Sequence, residues 1–89
     1  FCHSDEMALG AMKAIRRKGL RIPEDISVIG FDDNEIAQYV GLTTVSQPPQ
    51  FLGQMAASAT ITTIASPEAK MKHLSVATSL IVRETTARI

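Results

Sequence analysis

Apolar residues recur at Met7, Leu9, Met12 and Ile15, preceded by Ser4-Asp5-Glu6 and followed by Arg16-Arg17-Lys18-Gly19. This spacing predicts a helix with both ends marked. Ser4 can accept a first-turn N–H, the two acids sit at the positive end of the macrodipole, the bases sit at its negative end, and Gly19 supplies a left-handed cap. The mostly apolar, β-branched run Ile26-Ser27-Val28-Ile29-Gly30-Phe31 reads as a buried parallel strand. Asp32-Asp33-Asn34-Glu35 follow at once, so a buried strand ends in a polar loop, the place where open α/β sheets bind ligands.

Residues 36–40 suit a short helix, and Thr43-Thr44-Val45-Ser46 a brief strand that stops at Gln47-Pro48-Pro49. The prolines end that strand and open the next helix. Over residues 51–65, Leu52, Met55, Ala56, Ala59 and Ile64 mark an apolar stripe, while Thr60, Thr62 and Thr63 weaken the second half. Ser66-Pro67 breaks the pattern, residues 68–72 read as a solvated stretch, and Ser79-Leu80-Ile81-Val82-Arg83 as a last strand before a polar tail. With a truncated strand at Phe1-Cys2-His3, the order predicts an α/β fold with parallel crossovers and no internal repeat. Open strand edges in such a piece predict weak stability in isolation.

A chain of 89 residues allows one small domain with a marginal core. Its 45% hydrophobic and 20% charged residues fit a globular protein, and no apolar run reaches the ~20 residues of a membrane span, so no membrane partner is expected. The start at Phe1 rather than Met suggests a piece of a larger protein. Nine basic residues against nine acidic ones leave no net charge, which argues against this segment holding DNA itself. A single Cys2 excludes an internal disulfide and, with no metal-ligand spacing, suits the cytoplasm; neither metal nor cofactor is expected.

Two clusters of residues resemble enzyme sites, and both lack the context that catalysis needs. His3, Ser4 and Asp5 are adjacent but lack a nucleophile elbow, and neighbouring side chains along an extended strand point in different directions. Asp32-Asp33 resembles the paired acids of a receiver's magnesium pocket but lacks the later phosphoacceptor and lysine. A non-enzymatic role is therefore expected. Asp33 suits an Asx turn or a cap on the following helix. His73 suits a solvated histidine, and Arg83 a strand end at the surface.

Four blocks in order carry a resemblance: Ser4-Asp5-Glu6-Met7-Ala8-Leu9-Gly10-Ala11, the run from Ile22-Pro23-Glu24-Asp25 to Gly30-Phe31-Asp32-Asp33, Leu42-Thr43-Thr44-Val45-Ser46-Gln47-Pro48, and Leu80-Ile81-Val82-Arg83-Glu84-Thr85-Thr86. They resemble the closing segments of the lactose and galactose repressor family. The resemblance implies that residues 1–89 are the C-terminal part of a two-lobed, periplasmic-binding-protein-like core that closes on a small polar effector. It also implies a helix-turn-helix domain, absent from this chain, that holds operator DNA, and a homodimer. Ser4, Asp32 and Gln47 match effector-facing positions, and Leu9, Met12 and Tyr39 match the dimer side. A carboxylate accepting several hydrogen bonds and an amide that donates and accepts suit a sugar or nucleoside. The opening residues resemble the cytidine repressor branch, which points to a nucleoside. One departure is Val40-Gly41 where the family carries a proline pair. The rival of another class is a secreted sugar-binding protein feeding a transporter, which shares the fold.

Overall fold

The structure is a computed structural model that describes residues 1–66, 68 and 75–88. It contains α1 (Asp5–Arg17), β1 (Ile29–Asp32), α2 (Glu35–Val40), β2 (Thr43–Ser46), α3 (Pro49–Ala65) and β3 (Ser79–Ile81). The chain divides into two compact units, Phe1–Ser46 with Ser79–Ile89, and Gln47–Thr78.

In the first unit, Ser4 caps α1, its hydroxyl accepting the Met7 N–H at 3.2 Å. Past the other end, Gly19 takes a φ of +77°, and its N–H donates to the Arg16 carbonyl at 2.9 Å. The strands lie in the order β1-β2-β3. β1 and β2 are parallel, with Ile29 opposite Thr43 and Asp32 opposite Ser46.

β2 and β3 are antiparallel, Ser46 facing Ser79 and Thr44 facing Ile81. The expectation of parallel crossovers therefore fails for this pair. The chain leaves the sheet after Ser46 and returns at Ser79 beside it, so β3 runs back along β2. Both outer strands are also shorter than expected. Thr43 already pairs with Ile29, so Val28 has no ladder partner in β2, and its N–H donates instead to the Thr85 carbonyl at 2.9 Å. β3 stops at Ile81, and the Arg83 N–H goes to the Thr43 hydroxyl at 2.9 Å rather than to a ladder carbonyl. Phe1-Cys2-His3 forms no assigned strand among the described residues, although the Cys2 N–H donates to the Ile29 carbonyl at 2.8 Å.

Ala8, Met12, Val28, Ala37 and Leu42 form the core, with Cys2, Ile15, Ile22 and Val40 packed against it. Full burial of side chains such as Met12 and Leu42 stabilises by about 1.5–3 kcal/mol each. Gly30 lets α1 lie close against the sheet: a Cβ there would collide with the Asp5 carboxylate and meet Leu42 Cδ2 at 2.9 Å. Gly41 ends α2 at a φ of +68°, a left-handed turn that glycine makes without a Cβ penalty.

The second unit is organised on α3. Pro49 stands in its first turn and the helix runs unbroken to Ala65, so its second half is helical despite three threonines. The Thr60 and Thr63 hydroxyls donate to the carbonyls of Ala56 and Ala59, each at 2.8 Å, keeping their hydrogen bonding inside the helix. Leu52 and Met55 are half-buried, and no α3 residue is fully buried. His73 and most of the stretch 68–72 lie outside the described residues.

Candidate functional site

The chain turns sharply after β1. Asp32 has a φ of +109° and Asp33 a φ of +57°. For residues with a Cβ, such conformations cost on the order of 1–3 kcal/mol each and persist only where the surroundings impose them.

A buried carboxylate supplies part of that constraint. Asp5, wholly inaccessible to solvent, accepts the Asn34 N–H on Oδ2 at 2.6 Å and the Thr44 hydroxyl on Oδ1 at 2.7 Å. The Thr44 oxygen in turn accepts the Asp33 N–H at 3.3 Å. On the surface side, the Asn34 amide donates to Glu6 Oε1 at 2.6 Å. The start of α1 and the middle of β2 therefore grip Asp33 and Asn34 from two elements.

Arg83 holds the turn from a third. Its Nη2 donates to Asp33 Oδ1 at 2.8 Å and its Nη1 to the Leu42 carbonyl at 2.9 Å. The two charged side chains retain only 18% and 19% of their exposure, so solvent screens the pair less than a surface ion pair. Arg83 is thus a half-buried tie rather than a surface strand end. Asp33 is its partner rather than a helix cap; Asn34 occupies the cap position of α2 and makes no side-chain cap bond.

The tail after Arg83 is bound at Glu84, Thr85 and Thr86. The Thr85 hydroxyl donates to the Val28 carbonyl at 2.7 Å and accepts the Thr43 N–H at 2.9 Å. The Thr43 and Thr86 hydroxyls lie 2.9 Å apart, and the Glu84 N–H donates to the Gly41 carbonyl at 2.8 Å. Among the described residues, no buried side-chain nitrogen or oxygen lacks a partner.

Of the expected effector residues, Ser4 and Asp32 belong to the first unit. Ser4 caps α1, and Asp32 begins the turn that Asp5, next to Ser4, helps to hold. Gln47 belongs to the second unit, immediately after β2. Of the expected dimer residues, Met12 is only 1% exposed and lies in the core, so it faces its own sheet; this corrects the partner-facing expectation. Leu9 is half-buried, and Tyr39 is 78% exposed. Among the described residues there is no group of three or more His, Cys, Asp or Glu placed to hold a metal, and no helix long and apolar enough to cross a membrane. Sequence reasoning missed the structural roles of Asp5, Thr44, Arg83 and Thr85. The only signal was that all four fall within the blocks of resemblance.

Residues 1–86 match the family described as periplasmic binding protein-like domain. The chain belongs to this family. Proteins similar to it carry the names of transcriptional repressors, in line with the resemblance. It is 43% identical to the probable HTH-type transcriptional repressor ExuR of Bacillus subtilis over 91 aligned positions, covering 100% of this chain and 27% of that protein. The lac repressor dimer bound to operator and the anti-inducer ONPF superposes with a TM-score of 0.82 at 39% identity, over 97% of this chain and 30% of that one. A LacI-family regulator from Enterococcus faecalis with bound ribose gives 0.85 at 35% identity, over 97% and 33%. The chain therefore spans about a third or less of the proteins it matches, and its α/β fold is a fragment of their core.

Proposed function

We propose that this chain is the closing part of the effector-binding core of a cytoplasmic, dimeric transcriptional repressor, and that Ser4, Asp32 and Gln47 contact a small polar effector, a sugar or a nucleoside. The observation that carries the reading is the Asp32 turn. A carboxylate stands at the C-terminal end of a parallel strand, on a backbone with positive φ, and α1, β2 and the tail after β3 hold the two residues that follow it. A carboxylate whose backbone is held before the ligand arrives can accept two vicinal hydroxyls with less ordering cost on binding. The ribose complex of a similar protein favours a ligand rich in hydroxyls. The role is binding rather than catalysis: effector affinity that differs between two core arrangements shifts the population that holds operator DNA, and that DNA contacts a helix-turn-helix domain outside this chain. Leu9 and Tyr39 face the partner subunit. The transporter and enzyme readings gain nothing from the relatives, which carry the names of repressors.

The test is calorimetric titration of the intact protein that carries this segment with D-ribose, D-galactose, D-galacturonate and cytidine. The Asp32→Ala variant is expected to lose about 1.5–3 kcal/mol of affinity for whichever compound binds, the worth of hydrogen bonds to a charged group. Unchanged affinity would refute the role of Asp32.

A further inference from the structure

The ion pair between Arg83 and Asp33 joins segments far apart in the chain, the tail after β3 and the turn after β1. Arg83 makes three contacts around that turn. Its backbone N–H holds the Thr43 hydroxyl, one guanidinium nitrogen holds the Leu42 carbonyl, and another holds Asp33 Oδ1. The planar guanidinium directs these last two bonds together, which a single ammonium cannot reproduce. Asp33 is thereby referenced to the start of β2, and Asp32, its neighbour, carries the larger positive φ of the two. The tail that carries Arg83 is itself fixed through Glu84, Thr85 and Thr86.

We propose that Arg83 is a positioning residue for effector binding: by fastening Asp33 to the Leu42 carbonyl, it fixes the backbone of the Asp32 turn in its binding geometry without touching the effector. This rests on the reading of Asp32 given above. Asp5 holds the far side of the turn through Asn34, but it is buried and tied to Thr44, so its loss disturbs the core as well as the turn. Arg83 acts from the half-exposed side, where the turn can loosen while the core stays intact.

The experiment compares wild type, Arg83→Gln, Arg83→Lys, Asp33→Asn and Asp32→Ala in the intact protein, by amide hydrogen exchange without ligand and by calorimetry with D-ribose, D-galactose, D-galacturonate and cytidine. In Arg83→Gln and Asp33→Asn, exchange at the Asp33 and Asn34 amides is expected to speed up by about tenfold or more, while the Val28 amide, bonded to the Thr85 carbonyl, stays protected. Affinity for the compound that wild type binds falls in step, and Arg83→Lys recovers only part of both effects. Asp33→Asn leaves the bonds of Arg83 to Leu42 and Thr43 available, so it decides the matter if Arg83→Gln fails to fold. Unchanged exchange at Asp33 and Asn34 would overturn the proposal. So would faster exchange with unchanged affinity, provided Asp32→Ala weakens binding. If Asp32→Ala binds normally, or none of the four compounds binds the wild type, the reading of Asp32 falls and takes the role of Arg83 in binding with it; the exchange result then stands apart as a record of whether Arg83 orders the turn.

Discussion

Threonines behave differently in the two units of this chain. In the first, Thr43, Thr44 and Thr85 are buried and bridge different segments: Thr44 joins Asp5 to Asp33, and Thr85 joins Val28 to Thr43. In the second, Thr60 and Thr63 stand exposed on α3 and bond to carbonyls of their own helix. A hydroxyl that bridges segments satisfies groups that water cannot reach, so its removal leaves them unpaired. A hydroxyl that folds back on an exposed helix satisfies nothing that water would not. The same residue type therefore predicts opposite signs of effect in the two units.

The largest effect that sharpens this contrast is expected from Asp5→Ala, which strands the Asn34 N–H and the Thr44 hydroxyl together. At about 1–3 kcal/mol for each unpaired buried group, the loss is about 2–6 kcal/mol, read by urea unfolding of the intact protein. Gly30→Ala comes next, because the new methyl has no room beside Asp5 and Leu42; about 1–3 kcal/mol is expected, and a stability equal to wild type would mean that α1 stands farther from the sheet. Thr85→Val keeps the shape but removes the bridge between Val28 and Thr43, and the stranded Thr43 N–H alone costs about 1–3 kcal/mol. Thr63→Ala should move the other way, stabilising α3 by up to about 0.7 kcal/mol, since alanine is the better helix former. If Thr63→Ala destabilised as much as Thr85→Val, the contrast would collapse.

The smallest expected effect concerns Asp25. The Arg21 N–H at 2.7 Å, and then the Arg21 side chain, hold its carboxyl below the ordinary aspartate range. Because the folded-state pKa is lowered, this contribution is present above the ordinary aspartate range and is lost as the pH falls through the folded value. Asp25→Asn should therefore lower stability slightly at neutral pH and not at all in strong acid. An effect of equal size at both would assign it to something other than the charge.

Much of the first unit was legible because local rules and tertiary packing agree there. Ser4, the acids behind it and Gly19 marked α1 through capping chemistry alone, and the β-branched runs found β1 and β2. The direction of β3 was not legible, since a three-residue strand carries no trace of its partner's polarity. Met12 was misplaced for a related reason: a helical period shows which residues share a face, not whether that face meets the sheet or another subunit. The acidic turn was legible as a strand end followed by carboxylates, but its bracing was not. Asp5 lies 29 positions from Asn34, which it holds, and Thr44 and Arg83 lie 11 and 50 positions from Asp33. No local pattern reports pairings over such distances.

The central claim is that the Asp32 turn is built to receive an effector. The most direct measurement is a crystal structure of the intact protein with the compound that calorimetry selects. The account predicts ligand hydroxyls within about 3 Å of the Asp32 carboxylate, with the Asp33–Arg83 pair in place. A ligand bound elsewhere, with Asp32 out of its reach, would contradict it.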